Sequence, residues 1–175
     1  MISDRLDKTI RTVPNFPKEG IDFKDITPLL MNADLSSAII DTFTIQLKGL
    51  ELDAIVGIES RGFLFGFLLA NKMEIPFIPV RKAGKLPGET LKYKYDLEYG
   101  SAEVEIHKSD IKKGWKALVH DDLLATGGTA CAAAELIYGL GANVVGFAFV
   151  VALDFLNGKE KITQYSDQII SLKDY

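Results

Sequence analysis

The sequence predicts an α/β fold, in which a central, mostly parallel sheet is flanked by helices. The first observation is a set of four short apolar runs, at residues 54–58, 76–80, 117–119 and 144–153. Runs that stay apolar throughout are typical of strands buried on both faces. The second observation is that helical segments alternate with these runs, as they do where crossover helices join parallel strands.

Apolar periodicity predicts the helices. Leu6, Ile10 and Val13 recur at helical spacing, so the chain is expected to open with a short amphipathic helix that Pro14 ends. An irregular segment then runs to Pro28. Further helices are predicted at residues 33–47, 62–73 and 129–140.

Residues 82–100 differ from the rest of the chain, being polar and rich in Gly, Lys and Tyr. A loop of that length inside a compact domain is usually functional, disordered or a lid. The next residues, 102–107, alternate apolar and polar side chains, which predicts a half-exposed strand. The length of the chain predicts one domain over residues 1–175.

Composition narrows the class of protein. The chain has 175 residues, of which 47% are hydrophobic and 25% charged, as in ordinary globular domains. A net charge of −4 argues against a nucleic-acid partner, because such binding depends on clustered Lys and Arg. The single cysteine, Cys131, cannot form an internal disulfide. With no signal peptide or membrane-length apolar stretch in the sequence, we expect a cytoplasmic protein without a membrane partner.

The segment 117–129, ALVHDDLLATGGT, carries the strongest functional signal. Asp121 and Asp122 follow the apolar run, and a Thr-Gly-Gly-Thr turn then opens a helix. Backbone N–H groups in such a turn converge on an anion, and a helix N-terminus favours negative charge. Because carboxylates repel phosphate, the two acids suit hydroxyls or a metal ion. The segment predicts a ribose 5-phosphate site; the alternative is an ordinary turn in which the acids cap the helix.

The same segment resembles the phosphoribosyl pyrophosphate (PRPP) signature of type I phosphoribosyltransferases, in which two acids follow a strand and precede TGGT. The resemblance implies that Asp121 and Asp122 hold the ribose hydroxyls. It also implies that the turn binds the 5-phosphate, through Ala125, Thr126, Gly127, Gly128 and Thr129. His120 departs from the family pattern, which is usually apolar there, and we assign it no catalytic role.

Residues 15–30, NFPKEGIDFKDITPLL, resemble the base-binding segment of the adenine-specific members of that family. The resemblance implies that Phe23 stacks on adenine with Leu123 on the other face, and aromatic and aliphatic side chains suit a flat base. It further implies that the backbone of Asp22 and Lys24 reads the Watson–Crick edge. The family often has an apolar residue at 22 and arginine at 24, a departure that main-chain recognition tolerates. The alternative is that Phe23 is a core aromatic.

Three more segments extend the resemblance: GIESRGF at 57–63, RKAGKLPG at 81–88 and YDLEYG at 95–100. The last two resemble the start and end of the family's mobile hood, here residues 82–100. The resemblance also implies a small N-terminal cap for the base at residues 1–32. The three segments imply that the leaving pyrophosphate is bound by Ser60, Arg61, Arg81, Lys82 and Lys85. Glu98 is expected to approach the base and Tyr99 to help close the site. The candidate catalytic residues are thus Arg61, Glu98, Asp121 and Asp122. The alternative for the charged residues of these loops is an ordinary solvated surface.

Taken together, the resemblance implies transfer of phosphoribose from PRPP to adenine, giving AMP and pyrophosphate. It implies Mg²⁺ as a cofactor bound mainly through PRPP, with no metal site built from the protein, and a homodimer. One alternative is another purine phosphoribosyltransferase, acting on hypoxanthine, guanine or xanthine; the segment GIDFKDI favours adenine. Another is a non-catalytic PRPP-sensing regulator, which the lack of net positive charge or an extra DNA-binding domain disfavours.

Overall fold

In the computed structural model, which describes residues 1–16, 19–96 and 100–175, the chain begins with a small sheet and three helices. These elements are α1 (Ile2–Thr9), β1 (Arg11–Val13), β2 (Phe23–Asp25), α2 (Thr27–Leu30) and α3 (Ala33–Gln46). Strands β1 and β2 pair antiparallel, with Val13 opposite Phe23. In the described part of the chain, they form a sheet of two strands only, so β2 has one edge without a neighbouring strand.

The opening helix is shorter than its periodicity predicts. It ends at Thr9, and Ile10 adopts an extended backbone with φ −61° and ψ 129°. Val13 lies in β1 rather than on the helix, because a β-branched residue directly before proline favours extended backbone. The segment predicted to be irregular up to Pro28 also contains β2 and the start of α2, so both of these expectations were wrong in part.

A seven-stranded sheet forms the centre of the described fold. Its strands and their connecting helices are β3 (Ala54–Ile58), α4 (Gly62–Lys72), β4 (Phe77–Lys82), β5 (Thr90–Asp96), β6 (Ser101–His107), β7 (Lys116–Leu124), α5 (Gly128–Gly139), β8 (Asn143–Ala152), α6 (Gly158–Ile162) and β9 (Ile169–Asp174). The strand order is β5-β6-β4-β3-β7-β8-β9. Five strands run parallel, and β5 and β6 are antiparallel additions at one edge. The predicted α/β fold with a mostly parallel sheet is confirmed.

Helices cover both faces of the sheet, and the strand residues alternate between two apolar cores. One core, formed with α1, α3 and α4, includes Phe43, Ile55, Phe65, Leu118 and Ala148. The other, formed with α5, includes Val56, Val119, Ala133, Ile137 and Phe147. Burial on both faces explains why these strands read as continuous apolar runs.

The predicted hood segment contains a strand rather than one continuous loop. Strand β5 pairs with β6 from Thr90 opposite His107 to Asp96 opposite Ser101. The sequence of β5, TLKYKYD, alternates Leu and Tyr with Lys, which favours a strand at the edge of a sheet. Strand β6 was predicted, but the expected exposure of its polar residues fails at Glu105, which is buried. Strand β9, half-buried at the opposite edge, was not predicted.

Candidate active site

The two predicted ribose-binding acids lie within a strand rather than after it. Strand β7 continues past the apolar run to Leu124, because β8 pairs with it throughout, with Asp121 opposite Phe149 and Leu123 opposite Val151. These ladder bonds outweigh the low strand propensity of Asp. Adjacent strand residues point to opposite faces, so the two acids have different surroundings. Asp122 is buried, whereas Asp121 is partly exposed and lines a pocket.

Burial disfavours the ionised form of both acids. It raises the pKa of Asp121 well above its usual value, and the neighbouring charge of Asp122 raises it further. Burial also raises the pKa of Asp122, although the Arg61 guanidinium opposes this shift. The backbone N–H of Asp122 donates to Oδ1 of Asp121 at 2.8 Å. A ligand that brings hydroxyl donors to these oxygens therefore favours their ionised form.

The turn after β7 encloses a pocket of about 80 Å³ at the start of α5. Its lining consists of Asp121, Leu123, Leu124, Ala125, Thr126, Gly127, Gly128, Thr129, Ala130 and Phe149. Gly127 has φ +78°, and a Cβ there would lie 2.9 Å from the carbonyl oxygen of Gly158. Only glycine therefore fits this position. The first turn of α5 has backbone N–H groups without helical partners, which suits the pocket to an anion.

Arg61 connects three of the predicted subsites. Its Nε lies 3.0 Å from Oδ2 of the buried Asp122, and its guanidinium lies 5.7 Å from the centre of the Phe23 ring. The turn that carries Arg61 packs directly against the acids, because a Cβ at Gly62 would lie 2.8 Å from Oδ1 of Asp121. The residues predicted to bind base, pyrophosphate and ribose thus meet at one place. Ser60 precedes Arg61 in that turn.

The predicted base-binding residues Phe23 and Lys24 lie on β2, Asp22 directly precedes that strand, and Leu123 lies on β7. Phe23 is half-buried and meets the exposed ring of Phe16 edge-on at 5.3 Å. Leu123 is partly buried beside the core formed with α1, α3 and α4. Asp22 is exposed. The Lys24 side chain has structural contacts of its own, because its Nζ donates to the Thr12 hydroxyl and lies over the Tyr175 ring.

Two of the predicted basic residues, Arg81 and Lys82, are hydrogen-bonded to Glu59, an acid that was not among the predicted site residues. Arg81 donates to both carboxylate oxygens of Glu59, each at 3.2 Å, and the backbone N–H of Lys82 donates to Glu59 at 2.9 Å. Lys82 and Lys85 are exposed. The available signal was the position of Glu59, an acid directly before the Ser60–Arg61 turn.

The hood and the phosphate turn are in contact through a residue pair that was also not predicted. The Tyr95 hydroxyl, on β5, lies 3.1 Å from the hydroxyl of Thr129. A Cβ at Gly128 would meet the Tyr95 ring at 3.6 Å. Glu98 and Tyr99 lie outside the described residues, so their proposed roles stay predictions.

His120, the departure from the family pattern, lies fully buried on β7. Its ring meets Phe43 edge-on at 5.7 Å, and among the described residues neither ring nitrogen has a hydrogen-bond partner. Burial lowers the pKa of His120 to about 4. The side chain is thus a neutral part of the core.

This burial predicts a pH-dependent stability. In the unfolded chain His120 takes up a proton below about pH 6.5, whereas in the folded protein it does so only near pH 4. Stability is therefore lost as the pH falls through this window. Between pH 7 and pH 5, the free energy of unfolding should fall by about 2 kcal/mol more in the wild type than in His120→Leu. Urea unfolding at both pH values measures this difference, and equal losses in the two proteins would contradict it.

The described residues contain neither a group of three metal-ligating side chains nor a helix long and apolar enough to cross a membrane.

The chain matches a known family and close relatives over most of its length. The family model for the phosphoribosyl transferase domain matches residues 28–173. The adenine phosphoribosyltransferase of Clostridium botulinum strain Hall is 51% identical over 160 residues, covering 91% of this chain and 93% of the relative. Two solved structures are also similar.

The first is the adenine phosphoribosyltransferase of Thermoanaerobacter pseudethanolicus, with a TM-score of 0.95, 45% identity and full coverage of both chains. The second is that of Saccharomyces cerevisiae, complexed with adenine and an imino-altritol bisphosphate. It has a TM-score of 0.90 and 44% identity, and the match covers 97% of this chain and 96% of that one. These matches span the sheet, the acids of β7 and the turn before α5. The chain belongs to the phosphoribosyltransferase family.

Proposed function

We propose that the protein is an adenine phosphoribosyltransferase, which transfers phosphoribose from PRPP to adenine and so makes AMP and pyrophosphate in purine salvage. The observation that carries this proposal is the position of Arg61. Its guanidinium pairs with Asp122 and also lies beside Phe23, so a sugar held by the acids would have its C1 carbon close to both the base and the pyrophosphate. The similarity to adenine phosphoribosyltransferases over nearly the whole chain supports the choice of adenine.

Ribose 5-phosphate would bind between β7 and α5. Asp121 and Asp122 accept hydrogen bonds from the ribose hydroxyls, and the turn from Ala125 to Thr129 binds the 5-phosphate. Three features support these roles: the pocket at the turn, the left-handed backbone of Gly127, and the N-terminus of a twelve-residue helix beside it.

Adenine would bind beside β2. Phe23 stacks on the purine, and Leu123 contacts its other face. Because β2 pairs with β1 alone within the described residues, its second edge has backbone donors and acceptors for the base. The main chain of Asp22 and Lys24 then reads the Watson–Crick edge, which leaves the Lys24 side chain to its contacts with Thr12 and Tyr175.

The chemical step is a displacement at ribose C1, in which adenine N9 forms the new bond and pyrophosphate leaves with the electrons of the broken one. Ser60, Arg61, Arg81, Lys82 and Lys85 bind the pyrophosphate and stabilise its growing negative charge. Asp121 and Asp122 orient the sugar and favour the positive charge that develops on it. Closure of the hood, residues 82–100 with Tyr99, excludes water that would otherwise attack C1.

Mg²⁺ fits this site as a partner of the substrate. Carboxylate oxygens such as those of Asp121 and Asp122 are ligands that it accepts. Since the described residues contain no group of three potential ligands, most of its coordination would come from PRPP and water. When bound, Mg²⁺ offsets negative charge on the pyrophosphate.

A pyrophosphate-release assay with PRPP, Mg²⁺ and each purine base tests the proposal. Release that depends on adenine supports it. Release with another base alone, or with none, contradicts it.

A further prediction concerns Glu98, for which the resemblance implies a role at the base. Adenine must lose a proton as N9 bonds to C1, and a carboxylate near N7 can accept that proton or stabilise the charge that develops on the base. Glu98→Gln should therefore lower kcat by at least about tenfold, since a general base contributes about 10² to 10⁴ in rate. Steady-state kinetics should show a smaller change in KM for PRPP.

Two variants control this experiment. Glu98→Asp should recover part of the activity if the reach of the side chain is limiting. Glu103→Gln, on the exposed side of β6, should have little effect. Equal and small effects at positions 98 and 103 would reduce Glu98 to an ordinary surface residue.

The protein would act as a homodimer. Helix α4 is apolar all round: Phe65 and Leu69 are buried, whereas Leu64, Phe67 and Leu68 are 42%, 57% and 47% exposed. An exposed apolar helix face of this kind is typical of a surface that a second subunit covers. Sedimentation of the purified protein tests this assembly.

A reducing cytoplasm suits the free thiol of Cys131.

A further inference from the structure

Glu105 is a buried carboxylate that none of the proposed steps uses. It lies on β6 and is only 1% exposed, although the alternation of that strand predicts an exposed side chain. Its Oε1 accepts hydrogen bonds from the backbone N–H groups of Lys85 and Leu86, at 2.8 and 2.9 Å. Its Oε2 accepts from the Thr90 hydroxyl at 3.1 Å. All three donors lie at the base of the hood, between β4 and the first residue of β5.

These contacts keep a charge inside the protein. Burial raises the pKa of Glu105, but the three hydrogen bonds outweigh burial and hold that pKa below its ordinary value. A buried charge is retained only when such donors offset its loss of hydration. Removing the carboxylate would leave two backbone N–H groups without their acceptor, so the path of the loop depends on it.

The loop that Glu105 holds is linked by hydrogen bonds to the Ser60–Arg61 turn. The Lys85 carbonyl oxygen accepts from Nη1 of Arg81 at 3.4 Å. Arg81 in turn donates to both oxygens of Glu59, the residue directly before Ser60. A continuous set of contacts thus runs from Glu105 on β6, through the loop at Lys85 and through Arg81 and Glu59, to the Ser60–Arg61 turn.

We propose that Glu105 is a positioning residue for pyrophosphate: by fixing residues 81–86 and, through Arg81 and Glu59, the Ser60–Arg61 turn, it sets the geometry in which the leaving group is bound. This inference rests on the proposed function. Glu105 contacts no substrate itself. Its effect should therefore be confined to ligands that carry pyrophosphate, and ligands that carry only the ribose 5-phosphate and base should be unaffected.

The test compares two ligands on the whole protein by calorimetry. PRPP carries the pyrophosphate, whereas AMP carries the base in its place and has the same ribose 5-phosphate. In Glu105→Met, which has no oxygen acceptor, the Kd for PRPP should rise by about tenfold while the Kd for AMP stays within about twofold. Glu105→Gln, which keeps one carbonyl oxygen, should show an intermediate rise. Glu103→Met and Glu103→Gln, on the exposed side of the same strand, should change neither Kd.

Three outcomes would overturn the inference. Equal losses of PRPP and AMP affinity in Glu105→Gln would show a general structural role. Unchanged PRPP affinity in a folded Glu105→Met would show that the loop does not need the carboxylate; if that variant does not fold, the same comparison in Glu105→Gln decides. A wild-type protein that binds neither ligand overturns the proposed function, and this inference with it.

Discussion

Replacement of both Asp121 and Asp122 by asparagine should lower kcat/KM by roughly 10² to 10⁴, because each charge-assisted hydrogen bond to the ribose contributes a factor of about ten to a hundred. The fold should survive. Burial raises the pKa of both carboxyls, so the neutral amide avoids the cost of burying a charge at these positions. Steady-state kinetics and thermal unfolding measure the two effects separately.

The single variants should differ, because the two acids have different surroundings. Asp122→Asn removes the charge that pairs with Arg61 at 3.0 Å, so it should also weaken the binding of pyrophosphate by Arg61. Asp121→Asn changes only the group that lines the pocket. Asp41→Asn is the control, since Asp41 pairs with Lys72 on the exposed surface, where such pairs contribute little. Near wild-type kcat/KM in the double variant would remove both acids from the mechanism.

The sequence predicted four of the five parallel strands, because their apolar runs are a local signal, and it missed β9, which is only half-buried at the edge of the sheet. A strand buried on both faces must be apolar along its whole length, and Ala54–Ile58 shows this in five consecutive residues. It predicted the end of β7 less well. The strand continues through Asp121 and Asp122 because β8 pairs with it. The residues of β7 do not by themselves show which strand will pair with them.

The sequence predicts candidate site residues where a local motif indicates the chemistry, and it does not predict contacts that depend on pairing between distant segments. The acids and the TGGT turn lie within nine consecutive residues, so the sequence alone predicts that they face one ligand. Glu59 and Glu105 have their partners on other strands or loops, at sequence separations of 15 to 23 residues. In the sequence, Glu59 is an acid in a short polar turn and Glu105 is a polar residue of an alternating strand, and both patterns are also typical of an ordinary solvated surface.

Adenine should be used with a kcat/KM roughly 10⁴ higher than that for hypoxanthine, because a site built on hydrogen-bond matching rejects a base whose donors and acceptors are reversed. Adenine presents an N6 donor beside an N1 acceptor, whereas hypoxanthine presents an O6 acceptor beside an N1 donor. The backbone C=O and N–H groups along the second edge of β2 have a fixed order that no side-chain rotation can change. Hypoxanthine would therefore place its O6 acceptor opposite the backbone C=O and its N1 donor opposite the backbone N–H.

The same argument predicts which substitution leaves this preference unchanged. Asp22→Val alters an exposed side chain directly before β2 but keeps the main chain, so the ratio of kcat/KM values should stay within about threefold of the wild type. Measuring AMP and IMP formation from equal concentrations of the two bases gives the ratio directly. If hypoxanthine is used at a rate comparable to adenine, the main chain of β2 does not read the base. If Asp22→Val changes the ratio strongly, the side chain and not the backbone carries the recognition, and the departure from the family at position 22 becomes a determinant of specificity.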